Sequence, residues 1–389
     1  MLGTFGVILL GGLFLGEISQ KLKLPSLVGM ILLGIVIRPQ CLGVIDLKVL
    51  SISSELRKIA LIIILINAGL NLNIKELKKN GISTVLLSFL PATMEILCFS
   101  IFAPKIFNIT PLEGAVIGSI IGAVSPAVVV PRMIRLINKK YGTKSGVPQM
   151  IVGAASVDDI FVIIIFTSLV KLTSGSKMMM NELFYLPVSI ILGILIGIGT
   201  GNFLVGFFKK IDIRASFKTI IILAVSFILV EGENHLKYSS LLSVMVIGMI
   251  IHQKNQEFMK ELSQKFSKIW LGAEILLFVL VGAEINIGFA MKFGLSSIIL
   301  ILLSLIFREF GVFLALMKSN LNKKEKLFTM ISYTPKATVQ AAIGGMPLMM
   351  GFSYGDLALT MAVLSILITA PFGAFLMDLS YDKLLDKDE

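Results

Sequence analysis

Two adjacent aspartates, Asp158 and Asp159, stand in the run Ala155-Ser-Val-Asp-Asp-Ile-Phe-Val-Ile-Ile-Ile-Phe166, whose later residues would partition into oil. An ionised aspartate at the centre of a membrane helix costs about 2.5–3.5 kcal/mol on insertion scales, so two in succession need partners or a purpose. Successive residues project about 100° apart on a helix, so one carboxyl can face a partner while the other faces a cavity. Ionised, the pair offers hard oxygen ligands suited to a small monovalent cation, to which Ser125, Ser156 and freed backbone carbonyls can add. A carboxyl pair held away from water can also exchange protons at cellular pH, with a titration that belongs to the pair. Cation and proton then compete for one site, which is the chemistry of antiport.

Three more ionisable side chains reach similar depth: Glu95, Arg308 and Lys336. A mutual ion pair of Glu95 with Arg308 would neutralise both and fix the crossing of their helices, leaving the aspartates unpaired. The alternative partner for Arg308 is one of the aspartates. Glu309, beside Arg308, has no assigned role and could compete for it. Two runs, Gly122-Ala-Val-Ser-Pro-Ala-Val-Val-Val-Pro131 and Tyr333-Thr-Pro-Lys-Ala-Thr-Val-Gln340, carry Pro126, Pro131 and Pro335, each lacking an amide donor and clashing with the preceding turn. They are expected to break their helices. Lys336, inside the second break, is expected to neutralise the negative ends of half-helices facing it.

The elements that must hold these residues are membrane spans. Of 389 residues, 56% are hydrophobic and 15% charged, and the mean hydropathy is +0.93, far from the balance of a water-soluble domain. Cys41 and Cys98 give no disulfide framework, and neither has a metal-ligand spacing with His235 or His252. No resident cofactor or nucleic-acid partner is expected. The first apolar segment has no basic leader or cleavage site and reads as a retained span. With about 20 apolar residues per crossing, thirteen spans are expected near 3–19, 25–38, 56–71, 82–104, 112–133, 148–171, 184–208, 217–233, 238–252, 269–288, 293–317, 326–349 and 354–378. With the amino terminus outside, the cytoplasmic loops and tail hold 24 basic residues against 9 on the other side, so the carboxyl terminus is expected inside. The net charge of +11 thus belongs to loops. The amphipathic segment 256–268 is expected along the cytoplasmic surface.

The spans repeat. Pro25–Ile37 reads like Ser239–Ile251, Gly69–Ile74 like Gly282–Ile287, Glu95 falls opposite Arg308, and Ser125-Pro126 opposite Thr334-Pro335, at offsets of 209 to 214. Each pair is seven spans apart, an odd number, so the partners run in opposite directions. The expected fold is therefore an all-α membrane protein of about thirteen transmembrane helices, a single domain over 1–389, with inverted-topology repeats and two discontinuous crossing helices.

Leu24-Pro-Ser-Leu-Val-Gly-Met, Ala68-Gly-Leu-Asn-Leu, Ser125-Pro-Ala-Val-Val-Val-Pro, Val157-Asp-Asp, Val279-Leu-Val-Gly-Ala-Glu and Thr334-Pro-Lys-Ala-Thr-Val-Gln-Ala-Ala-Ile together resemble the monovalent cation/proton antiporter superfamily. The likeness covers most of the chain. It falls in the two-aspartate branch and is similar to the animal sodium/hydrogen antiporters, which also carry a glutamate like Glu95 and an arginine like Arg308. The resemblance implies exchange of Na⁺ or Li⁺ for H⁺, with Asp159 the principal carrier of both, Asp158 its partner, and Glu95 with Arg308 a buried pair. It implies a homodimer in the cell membrane, with a dimerisation subdomain of 1–75 and 217–289, an ion-transporting core of 82–172 and 293–378, and a linker helix over 184–208. Many bacterial two-aspartate exchangers carry lysine where this chain has Arg308. Arginine keeps its proton at physiological pH, so electroneutral exchange is expected.

Two rivals differ in chemistry. A sodium-coupled solute symporter on a similar scaffold would need a roomier organic site. An intramembrane aspartyl protease also needs two aspartates, but such enzymes place them on separate helices, whereas here they adjoin.

Overall fold

A computed structural model describes residues 1–71, 81–173, 180–211, 213–233, 236, 238–254 and 256–388, with side chains described throughout except at 156, 180–187 and 256–259. Among these residues the secondary structure is helical, with one isolated bridge between Tyr141 and Lys387. In chain order the helices are α1 (Leu2–Lys21), α2 (Ser26–Ile37), α3 (Leu47–Ser51), α4 (Ser53–Asn71), α5 (Ile82–Leu87), α6 (Leu90–Phe107), α7 (Pro111–Ile121), α8 (Pro126–Asn138) and α9 (Val147–Thr173). There follow α10 (Met180–Lys210), α11 (Ala215–Gly232), α12 (Ser240–Lys254), α13 (Gln256–Glu284), α14 (Ile287–Leu316), α15 (Lys323–Ser332), α16 (Thr338–Ile343), α17 (Met346–Met349) and α18 (Gly355–Leu384). Nine helical segments among the described residues are long and apolar enough to cross a membrane, and α2 and α12 are shorter apolar helices. The chain is thus a multi-pass membrane protein.

Several helix ends follow from local chemistry. Thr110 and Asn322 each open a helix with a reciprocal capping box, to Glu113 and Glu325, and Pro111 sits at the first position of α7, where its missing N–H costs nothing. Asn286 caps α14 by accepting the Phe289 amide at 3.1 Å. The segment expected on the membrane surface, 256–268, is instead the start of the continuous 29-residue helix α13. Its polar residues extend a span because no Pro or Gly interrupts the helix before Gly272.

The described chain forms two compact units. One comprises Met1–Glu55, Lys75–Val170 and Ile275–Glu389; the other comprises Leu56–Ile74 and Lys171–Glu274. In the first unit α6 packs along α7 and α14, α18 lies against α14, α15, α16 and α17, and α1 packs on α2. There α2 meets the end of α13 backbone to backbone. A Cβ on Gly34 would overlap the Val279 carbonyl oxygen, and one on Gly282 would overlap that of Ile31. In the second unit α10 and α11 pack on α12, and α4 crosses α12 in the same way. Gly69 faces the Met245 carbonyl oxygen and Gly248 faces that of Ile66. Small residues let membrane helices approach this closely.

At one end of the first unit the carboxyl-terminal tail clasps the loop between α8 and α9. Asp388 accepts the Lys144 amide at 2.7 Å and the Thr143 hydroxyl at 2.5 Å, and Gly142 N–H donates to the Asp386 carbonyl at 2.8 Å. The Thr143 hydroxyl first, then the Lys144 amide, hold the Asp388 carboxyl below its ordinary range. A carboxyl with a lowered folded pKa stabilises the fold above its unfolded value, about 3.9, and loses that effect as pH falls through the lowered value.

Two outcomes follow. Gly282→Ala should lower both the melting temperature and the folded yield in fluorescence-detected gel filtration, whereas Gly272→Ala, with open space at its Cβ, should leave both unchanged. Asp388→Ala should expose the loop at Lys144 to limited trypsin digestion at neutral pH, and unchanged cleavage would show that the clasp contributes nothing.

Candidate functional site

Both proline runs interrupt their helices. The first leaves Gly122–Ser125 between α7 and α8; the second leaves Tyr333–Ala337 between α15 and α16. Ser125, before Pro126, takes the extended conformation (ψ 109°) that a following proline favours. Pro131 lies within α8, so of the three prolines only Pro126 and Pro335 fall at an interruption. The two breaks bind one another directly: Ser125 N–H donates to the Pro335 carbonyl at 2.8 Å.

Backbone groups freed in a membrane interior must find partners inside the protein. Gln340, on α16, donates its side-chain amide to the carbonyls of Ile121 (3.1 Å) and Ala123 (2.9 Å), and accepts the Ala337 amide at 2.8 Å. Arg308 donates Nη1 to the Gly122 carbonyl and Nε to the Tyr333 carbonyl at 2.7 Å. These four carbonyls cluster at the ends of α7 and α15, where the helix dipole favours a cation. Val124 N–H donates to Asp158 Oδ2 at 2.7 Å, and Lys336 N–H to Thr369 Oγ1 at 3.0 Å.

The charged side chains join this frame. Arg308 Nη1 lies 2.9 Å from Glu95 Oε2 and its Nη2 3.2 Å from Asp158 Oδ2; Lys336 Nζ lies 2.6 Å from Glu95 Oε2. Ser304 donates to Glu95 Oε1 at 3.0 Å. Glu95, Asp158, Arg308 and Lys336 are fully buried, and Asp159 is 7% exposed. Arg308 therefore serves Glu95 and Asp158 together, where sequence reasoning had to choose between them; five N–H donors in a planar fork make this possible. Lys336 lies in the second break as expected. Its ammonium goes to Glu95, while Arg308 and Gln340 answer the half-helix carbonyls.

Two positive and two negative side chains are thus joined, and Asp159 stands outside that set. Its Oδ1, the Asp158 Oδ1 and the Ser125 hydroxyl are all buried without a hydrogen-bond partner. Unpartnered buried oxygens are unusual and suit a cation with hard-ligand preferences. The Ser156 side chain lies outside the described residues. Glu309 is partly buried on α14, with Oε1 3.4 Å from the Thr334 hydroxyl and Oε2 unpartnered. Among the described residues no three His, Cys, Asp or Glu side chains gather as a metal centre. His252 bonds the Leu70 carbonyl at 2.7 Å, and His235 lies outside the described residues. Gln340, Ser304 and Thr369 went unassigned in sequence reasoning.

A helical membrane protein with two facing helix breaks and a buried charge cluster between them belongs to the architecture of secondary transporters. Comparison with known proteins is more specific. Residues 6–377 match the family described as sodium/hydrogen exchanger, transmembrane. The chain is 34% identical to human sodium/hydrogen exchanger 9B2, over 99% of this chain and 76% of that protein, and 32% identical to human sodium/hydrogen exchanger 9B1, over 96% and 76%. Its fold is similar to that of the sodium proton antiporter MjNhaP1 from Methanocaldococcus jannaschii at pH 8, with a TM-score of 0.85 and 20% identity over 98% of each chain. The chain belongs to the sodium/hydrogen exchanger family.

Glu95→Ala removes the acceptor shared by Arg308 and Lys336 and should cost about 3–5 kcal/mol, as for a broken buried ion pair. Ser304→Ala, removing one neutral donor, should cost about 1 kcal/mol. Thermal unfolding of the detergent-solubilised protein checks the order, and equal melting points would contradict the shared-acceptor geometry.

Proposed function

We propose that this protein is a secondary antiporter that exchanges a monovalent cation, Na⁺ or Li⁺, for H⁺ by alternating access, with both cargoes competing for Asp159. The observation that carries this reading is the balance of the buried charges: Arg308 and Lys336 meet Glu95 and Asp158, and Asp159 is left over. A carboxylate with no fixed counter-ion deep in the membrane needs a mobile one. In one leg the counter-ion is the metal cation, with Asp158, Ser125 and Ser156 as supporting ligands; in the other it is a proton. Each loaded form then has the same charge. Exchange of one cation for one proton without net charge transfer is the result, because arginine does not release its proton.

The scaffold proposed is thirteen spans with inverted repeats. Four close contacts support it: Gly34 on Val279 matches Gly248 on Ile66, and Gly282 on Ile31 matches Gly69 on Met245, all at offsets of 213 or 214. The core that moves is 82–172 with 293–378, the partner subdomain that forms a homodimer is 1–75 with 217–289, and 184–208 links them. This division concerns motion and need not coincide with the compact units. The protein lies in the cell membrane with its amino terminus outside, a placement supported by the loop charge bias.

The test is proton flux in everted vesicles with a pH-sensitive dye. Na⁺ or Li⁺ should dissipate the pH gradient with wild-type protein, and Asp159→Ala should fall to the level of empty vesicles. Unimpaired flux in Asp159→Ala would defeat the site assignment, and no cation response in wild type across about pH 6.5–8.5, where a buried carboxyl pair can titrate, would defeat the exchange reading. Flux that follows an imposed membrane potential would defeat electroneutrality. Glu309→Gln should leave the potential-independence unchanged.

A further inference from the structure

Beyond the exchange site, the first unit contains a cavity of about 700 Å³ where three segments of chain meet: Gly81–Ser83, Thr143–Met150 and Lys318–Leu321. We propose that this cavity binds a phosphate-type anion. Among the described residues its charged lining side chains are two lysines, Lys144 and Lys318, both exposed, and no carboxylate lines it. Asp388 accepts the Lys144 backbone amide and the Thr143 hydroxyl and is not part of the wall. Gln149 also lines the cavity, and its Oε1 is buried with no partner. Turned end for end, that side chain presents an NH₂ group with two donors, which a phosphate oxygen can accept. Hydroxyls of Ser83 and Ser319 and the amide of Asn320 add neutral polar groups.

The same lining argues against a route for the transported cation. Two ammonium groups raise the local potential and repel a cation, while they concentrate an anion. Lysine is a common point-charge binder of phosphate. The position gives such binding a consequence. The wall is built from the loop into α9 and its first turn, the loop just after α14, and the start of α5; α9 carries Asp158 and Asp159, α14 carries Arg308, and α5 leads into α6 and Glu95. An anion held by Lys144 and Lys318 ties the loop before α9 to the loop after α14, and Gln149 in the same wall lies about 14 Å along α9 from Asp158 at 1.5 Å per residue. The anion would brace the helices that hold the charge cluster.

The phosphate group can belong to a lipid headgroup or to a free ion, and the experiment separates the two. Melting temperatures of the full chain are measured in neutral detergent with inorganic phosphate, against chloride at equal ionic strength, and after reconstitution into phosphatidylcholine vesicles with or without phosphatidylglycerol. Wild-type protein should be stabilised in at least one arm; the phosphate arm alone identifies a free ion, and the vesicle arm alone a headgroup. In the responding arm Lys144→Gln/Lys318→Gln should need roughly tenfold more ligand for half-maximal stabilisation, the loss of one to two charge-assisted contacts. Lys323→Gln/Lys324→Gln, two exposed lysines outside the cavity wall, should behave as wild type. No stabilisation in either arm, or the same response from both double variants, overturns the proposal.

Discussion

Arg308 holds the centre of this molecule together, because one guanidinium reaches four acceptors on four different segments. It bonds Glu95 on α6, the Gly122 carbonyl at the end of α7, Asp158 on α9 and the Tyr333 carbonyl at the end of α15. A lysine has three donors on one atom and could not span the same set. Remove the guanidinium and two helix-terminal carbonyls lose partners in a region without water, each costing several kcal/mol in hydrocarbon. The charge that makes the cluster possible is therefore also the donor that makes the helix breaks tolerable.

The breaks in turn depend on each other. Ser125 N–H reaches across to Pro335, and Gln340 reaches back to Ile121 and Ala123, so neither loop is satisfied within its own helix. A displacement of one break without the other would orphan several polar groups at once. The two breaks are therefore cross-linked into one hydrogen-bonded frame. Alternating access of the proposed kind needs such a frame, since a site that deformed with each cycle would lose its alignment of ligands.

How much of this was legible in the sequence differs by residue type. Asp158, Asp159, Glu95 and Arg308 could be found because ionised groups in apolar runs are rare, and Pro126 and Pro335 because proline removes a donor wherever it stands. Gln340, Ser304 and Thr369 were not legible: neutral polar residues are ordinary in membrane helices, and nothing in their spacing says which group they will meet. Lys336 was expected to offset half-helix dipoles, and its bond to Glu95 was not legible, since a four-carbon stem reaches any partner within several ångströms and sequence carries no such distances. Arg308 was assigned one carboxylate because pairwise reasoning does not anticipate a guanidinium shared among four segments. The start of α13 was missed because amphipathic character marks a surface helix and the solvated end of a span alike.

The proposed repeat accounts for the acid pair occurring once, in the first copy and not the second. Val124 N–H on the first break donates to Asp158 on α9; Lys336 N–H on the second donates to Thr369 on α18. These residues correspond at offsets of 212 and 211, so the same contact between a break and its neighbouring helix is made twice. In one copy the acceptor is a carboxylate with another carboxylate next to it, and in the other it is a hydroxyl followed by Ala370. The hydroxyl satisfies the backbone without introducing charge, whereas the carboxylate satisfies it with one oxygen and leaves the other, Oδ1, unpartnered. Backbone satisfaction alone therefore does not require Asp158, and it gives no reason at all for Asp159. What the acid copy adds over the neutral one is a carboxylate with which neither Arg308 nor Lys336 forms an ion pair, and the direct physical use for such charge in a membrane interior is to hold a counter-ion that can leave.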